Sequence, residues 1–157
     1  MKRSTIAKTF AIAALALSLA PTAMADVTGC NNATLRGTFG YTLTGTLLAP
    51  GLTGPFAEIG TQTFDGRGGT TATAMLSQNG NIYKISIKGT YTVNDDCTGT
   101  FTLQVSPFGI TNLIFFVIDN GGSSFQSMEV NPNMGSGGSV VTGIGRRQCP
   151  VGDLRSN

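Results

Sequence analysis

From Leu35 to Leu47 the odd positions are Leu35, Gly37, Phe39, Tyr41, Leu43, Gly45 and Leu47, while the even ones are Arg36 and a series dominated by Thr. An apolar-polar period of two predicts a strand with one buried face. The alternation returns over Ile82 to Val93, where Tyr83, Ile85, Ile87, Tyr91 and Val93 oppose Lys84, Ser86, Lys88, Thr90 and Thr92. It returns again at Phe101, Leu103 and Val105. Threonine suits the wet side of a pleated surface, because its branched carbon fits the strand and its hydroxyl faces water. Turn signals lie between the runs: Asp65 to Gly69, Asn79 to Asn81, Asn94 to Asp96, Pro107 to Gly109, Asn120 to Gly122 and Asn131 to Gly138. They supply residues that tolerate the positive φ of tight hairpins.

These boundaries predict strands near 34–48, 56–64, 70–77, 82–93, 98–106, 111–118, 123–130 and 139–146. The expected fold is all-β: an eight-stranded antiparallel up-and-down meander closing into a barrel, which removes exposed edges. A two-sheet β-sandwich is the alternative. Three cysteines, no terminal aromatic strand end and no aromatic girdles argue against an outer-membrane barrel.

Residues 1–25 change the picture of the compartment. A basic start, an apolar run from about Phe10 to Ala20, then Pro21 and Ala23-Met24-Ala25 form an export signal with a small-x-small cleavage site. The apolar run is too short to be a permanent span. Cleavage before Asp26 leaves residues 26–157 as a single domain, periplasmic or extracellular. Val27-Thr28-Gly29-Cys30 offers the alternative of a lipoprotein anchored at Cys30. In an exported chain two of Cys30, Cys97 and Cys149 are expected to be oxidised, and a meander brings all three to one end.

Charge and composition narrow the function. The mature part carries 7 basic and 8 acidic residues, so no nucleic-acid partner is expected, and the chain has no His. A His-dependent hydrolase and a His-ligated zinc enzyme are thereby excluded. Neither the Asp65 loop nor Asn94-Asp95-Asp96 has the ligand spacing of a calcium loop, so both read as hairpin turns, and no metal or cofactor is expected.

Candidate chemistry then lies in the interior rows. Phe39, Tyr41, Tyr83, Tyr91 and Phe101, with Gln62, are the candidate lining of a pocket for a small apolar molecule; the plain alternative is that they fill the barrel. Glu58 shares one face with Phe56, Gly60, Gln62 and Phe64, against Ala57, Ile59, Thr61 and Thr63 on the other. If the phenylalanine face is inside, Glu58 is a carboxyl in an apolar cup and a candidate general acid or base. Over 112–118 both faces are apolar, so one row faces outward and is a candidate surface for a homo-oligomer, unless the C-terminal tail covers it. Arg146 and Arg147 read as solvating the end of the last strand.

The segments CNNATLRGTFGY (Cys30 to Tyr41), FDGRGGT (Phe64 to Thr70) and GTYTVNDDCTGTFTL (Gly89 to Leu103) resemble a group of small exported bacterial proteins of uncharacterised role. Their shared pattern is a Cys before the first strand, a DGxG turn and a GTYTV-DCTGT hairpin. The pairing of Cys30 with Cys97 is what this resemblance implies, leaving Cys149 free or intermolecular; with Cys30 lipidated, Cys97 and Cys149 are the remaining pair. More distantly, the layout is similar to the allene oxide cyclase and calycin barrels, which implies a cup for an apolar small molecule and, as an alternative function, a cyclase or isomerase. No catalytic residue is carried over from either.

Overall fold

The computed structural model describes residues 29–130 and 138–149. The expected export signal and its expected cleavage site, most of the expected turn over 131–138 and the C-terminal tail from residue 150 lie outside the described residues. Eight antiparallel strands pair in chain order: β1 (Gly37–Leu47), β2 (Gly54–Phe64), β3 (Gly69–Gln78), β4 (Asn81–Val93), β5 (Thr98–Ser106), β6 (Ile110–Asp119), β7 (Ser124–Glu129) and β8 (Ser139–Arg147). β8 returns to β1, with Leu47 opposite Ser139 and Phe39 opposite Arg147, so the sheet is a closed barrel and not a sandwich. Closure pairs both edges of every strand, which removes the templating edge of an open sheet.

The alternating residues fall as the period requires. Phe39, Tyr41, Ile85, Ile87, Tyr91, Phe101, Leu103 and Val105 are buried, and the intervening threonines face out. On β6 the row Ile114, Phe116 and Ile118 is inside, which leaves Phe115 and Val117 outside at 38% and 39% exposure. Inward glycines make room for the largest rings. A Cβ on Gly99 would sit 2.3 Å from the Phe116 ring, and one on Gly145 would sit 2.2 Å from Phe125. Small residues beside large ones are how a narrow barrel accommodates its interior.

The two ends of the barrel differ. At the end where β1 begins, Phe39, Phe64, Phe101, Phe116 and Phe125 form an aromatic floor, with Phe101 and Phe116 stacked at 4.2 Å between ring centres. A 3-10 turn, Asn32–Leu35, lies over this floor and buries Leu35 completely, beside a second 3-10 turn at Asn120–Gly122. This turn corrects the expected start of the first strand at 34. Asn31 and Thr34 cap each other's backbone, and Gly37 at φ 125° turns the chain into β1, so the local capping bonds win over the alternation.

Tyr91 Oη donates to the Asn32 carbonyl at 2.9 Å, and the Val93 amide donates to Asn32 Oδ1 at 2.8 Å. Arg147 is exposed, as expected of the strand end, but does more than solvate it. Its guanidinium lies over the Phe39 ring and donates to the carbonyls of Arg36, Thr34 and Gly122. Arg146 is exposed, as expected. The Cys30–Cys97 disulfide anchors the segment entering the turn, and Cys149 is an exposed thiol. At the end where β1 finishes, no such turn lies over the interior among the described residues.

Candidate functional site

The end of the barrel where β1 finishes holds a cavity of about 160 Å³ among the described residues. Leu47, Phe56, Leu76, Ile85, Val105 and Ile110 supply its apolar wall, with Tyr83 and Phe108 at the rim. Those two rings meet edge to face at 5.3 Å. Polar groups enter from four strands: Glu58 on β2, Gln78 on β3, Asn112 on β6 and Glu129 on β7. Below it a cavity of about 30 Å³ lies among Tyr41, Gln62, Phe101, Leu103 and Ile114, and Glu58, Val105 and Asn112 border both spaces.

Glu58 comes inward because β2 turns its phenylalanine face to the core, where Phe64 contacts Phe39 at 5.4 Å, while Ile59 is left 62% exposed. Tyr41 Oη donates to Glu58 Oε1 at 2.5 Å. Burial pushes the Glu58 carboxyl above the ordinary carboxylate range; the Tyr41 hydrogen bond pulls it down and the charge of Glu129 pushes it up again. Glu129, half-buried, is also raised by burial, against a hydrogen bond donated by Ser139 Oγ at 2.7 Å. The Tyr41 phenol is raised as well, by burial first and by Glu58 second, so it remains protonated. Gln62 turns aside from this pair, its Nε2 donating to Thr70 Oγ1 at 3.1 Å.

The site brings together Tyr41, Glu58, Gln62 and Phe101 of the expected residues at the lower cavity, and Tyr83 at the rim. Phe39 and Tyr91 lie inside but belong to the plugged end, and they line neither of these two cavities. Alternation reports which face is inside and carries no information on depth along the barrel axis. Glu129 was not among the expected residues, although the period of two was the signal for it: Phe125, Ser127 and Glu129 share a face, and Phe125 is plainly apolar.

These shifts set a pH dependence. A carboxyl whose folded pKa is raised binds its proton more tightly in the folded state, so its contribution to stability is complete below the ordinary value of 4.5 and is lost as pH rises through the folded value. Asp65 and Asp96 are lowered by hydrogen bonds in their turns, and they act in the opposite sense as pH falls below about 3.8. Urea denaturation between pH 4 and 8 is therefore expected to show stability falling toward neutrality. Glu58→Gln should flatten that decline; a variant with an unchanged slope would remove Glu58 as its source.

Outside the barrel, Phe115, Val117, Met128 and Ile144 line a shallow groove of about 450 Å³ across β6, β7, β8 and β1. It is shallower and more open than the mouth cavity. Among the described residues no group of three or more His, Cys, Asp or Glu side chains is placed to hold a metal ion. No described helix is long and apolar enough to cross a membrane.

No family model matches the chain, and no curated protein matches it. Among solved structures the chain is similar to EF1p2_mFAP2b bound to DFHBI, with a TM-score of 0.53 and 16% identity over 73% of this chain and 94% of that one. The likeness is one of barrel fold.

Proposed function

We propose that the protein is an exported β-barrel that binds a small, largely apolar molecule in the cavity at the end where β1 finishes and does so without chemistry. The observation that carries this reading is the cavity of about 160 Å³, walled largely by apolar side chains, above an interior that holds only a further space of about 30 Å³ among the described residues. Its volume is close to the roughly 150 Å³ in which a buried apolar cavity holds benzene. The similar barrel's DFHBI complex supports the same reading by analogy, and the disulfide supports export.

Indole is a suitable probe, being a compact aromatic with one N–H donor. Titration should shift the NMR signals of Leu76, Ile85 and Val105 while leaving those of Phe39 and Leu35 in place, and Leu76→Trp should abolish the shifts by filling the cavity. Absence of shifts at millimolar indole would overturn the proposal. Self-association through the outer β6 row is a second reading, favoured by exposed Phe115, Val117 and Met128; sedimentation velocity distinguishes it. The buried Glu58–Tyr41 pair favours a third, proton-transfer chemistry of the cyclase or isomerase type with Glu58 as acid or base.

A further inference from the structure

Resting on the cavity reading above, we infer that the ligand is a small primary amine on an apolar body of about one ring, its ammonium seated between Glu58 and Glu129. Two independent features of the cavity point this way. Its shape and walls accept an apolar body, with Phe56, Tyr83 and Phe108 presenting aromatic surface. Its ionisable lining is one-sided: both carboxyls face the space, and no Lys or Arg lines it.

The acids come from β2 and β7, which are separated by β1 and β8 around the barrel, so they converge on the cavity from different strands. In the empty cup they repel one another. The hydrogen bonds from Tyr41 and Ser139 leave the carboxylates' mutual repulsion in place, and a cation held between the two offsets it. A carboxylate has about four acceptor positions, so Glu58 can accept from an ammonium while it accepts from Tyr41. Aromatic walls add attraction for the positive charge, since ring faces are electronegative. An anionic ligand would meet the opposite field. A neutral alcohol would gain the apolar contact without the charge contact.

The experiment compares three probes of similar shape by calorimetric titration at pH 7: 2-phenylethylamine, 2-phenylethanol and 3-phenylpropanoate. The amine is expected to bind at least tenfold more tightly than the alcohol, and the propanoate more weakly than either. Glu129→Gln, at the half-buried position, and the double variant with Glu58→Gln should each reduce the ratio of amine to alcohol affinity. Equal affinity for amine and alcohol, or a preference that survives the double variant, would overturn the inference and leave the cavity reading standing. If none of the three probes and no indole binds, the cavity reading itself falls, and the inference with it.

Discussion

Phe101→Ala is expected to lower the stability of the barrel by about 3–5 kcal/mol, the usual cost of removing a buried phenylalanine. Phe101 is 1% exposed, stacks on Phe116 at 4.2 Å and stands 5.5 Å from both Phe64 and Phe125. It also borders the lower cavity. Truncation therefore joins a new void to an existing one, and the closed hydrogen-bonded ring of strands limits how far the walls can move in to fill it. Against a typical total of about 5–15 kcal/mol, the loss is a large share of what holds the fold. Equilibrium unfolding in urea measures it. A loss below about 1 kcal/mol would show that the floor relaxes into the space, and that its packing is looser than the ring contacts indicate.

Opening the Cys30–Cys97 disulfide is expected to have an effect of similar size. The bond joins residues 67 apart in sequence, and the chain-entropy argument gives about 4 kcal/mol for a loop of that length. The structural role is local as well. Cys30 leads into the 3-10 turn that plugs the barrel, and its amide donates to the Asp95 carbonyl at 3.1 Å beside the partner cysteine. Unfolding with and without reductant, compared with the Cys30→Ser, Cys97→Ser double variant, measures the contribution. Equal midpoints in all three would show that the plug is held by its hydrogen bonds alone.

Much of this architecture was legible in the residues because a period of two is the most direct projection of a sheet onto a sequence. The alternation around Tyr41, Ile87 and Phe101, punctuated by Asp65-Gly66 and Asn79-Gly80, located the strands within a few residues. β2 was ambiguous because each of its faces carries apolar groups, and only the packing of Phe64 against Phe39 and Tyr91 in three dimensions turns Glu58 inward. The plug was hidden for a different reason. Its parts, Asn32, Tyr91 and Arg147, are far apart in sequence and meet only after the barrel has closed. Glu129 belongs to the cup by virtue of its register with Ile114, and the Glu58–Glu129 relationship crosses the barrel, where local pattern has no reach.

The seam between β1 and β8 has a kinetic meaning. Its partners are roughly 100 residues apart, and non-local pairings of this kind place all-β domains among the slower folders, in milliseconds to seconds. Until β8 arrives, both β1 and β7 present an unpaired edge to other chains. The order of events is then set by the last strand: hairpins can form as the chain emerges, but the cup, the floor and the plug share one late step. A chain shortened before residue 139 would lose more than one strand, because Arg147, which ties the plug to the floor, leaves with the strand that closes the wall.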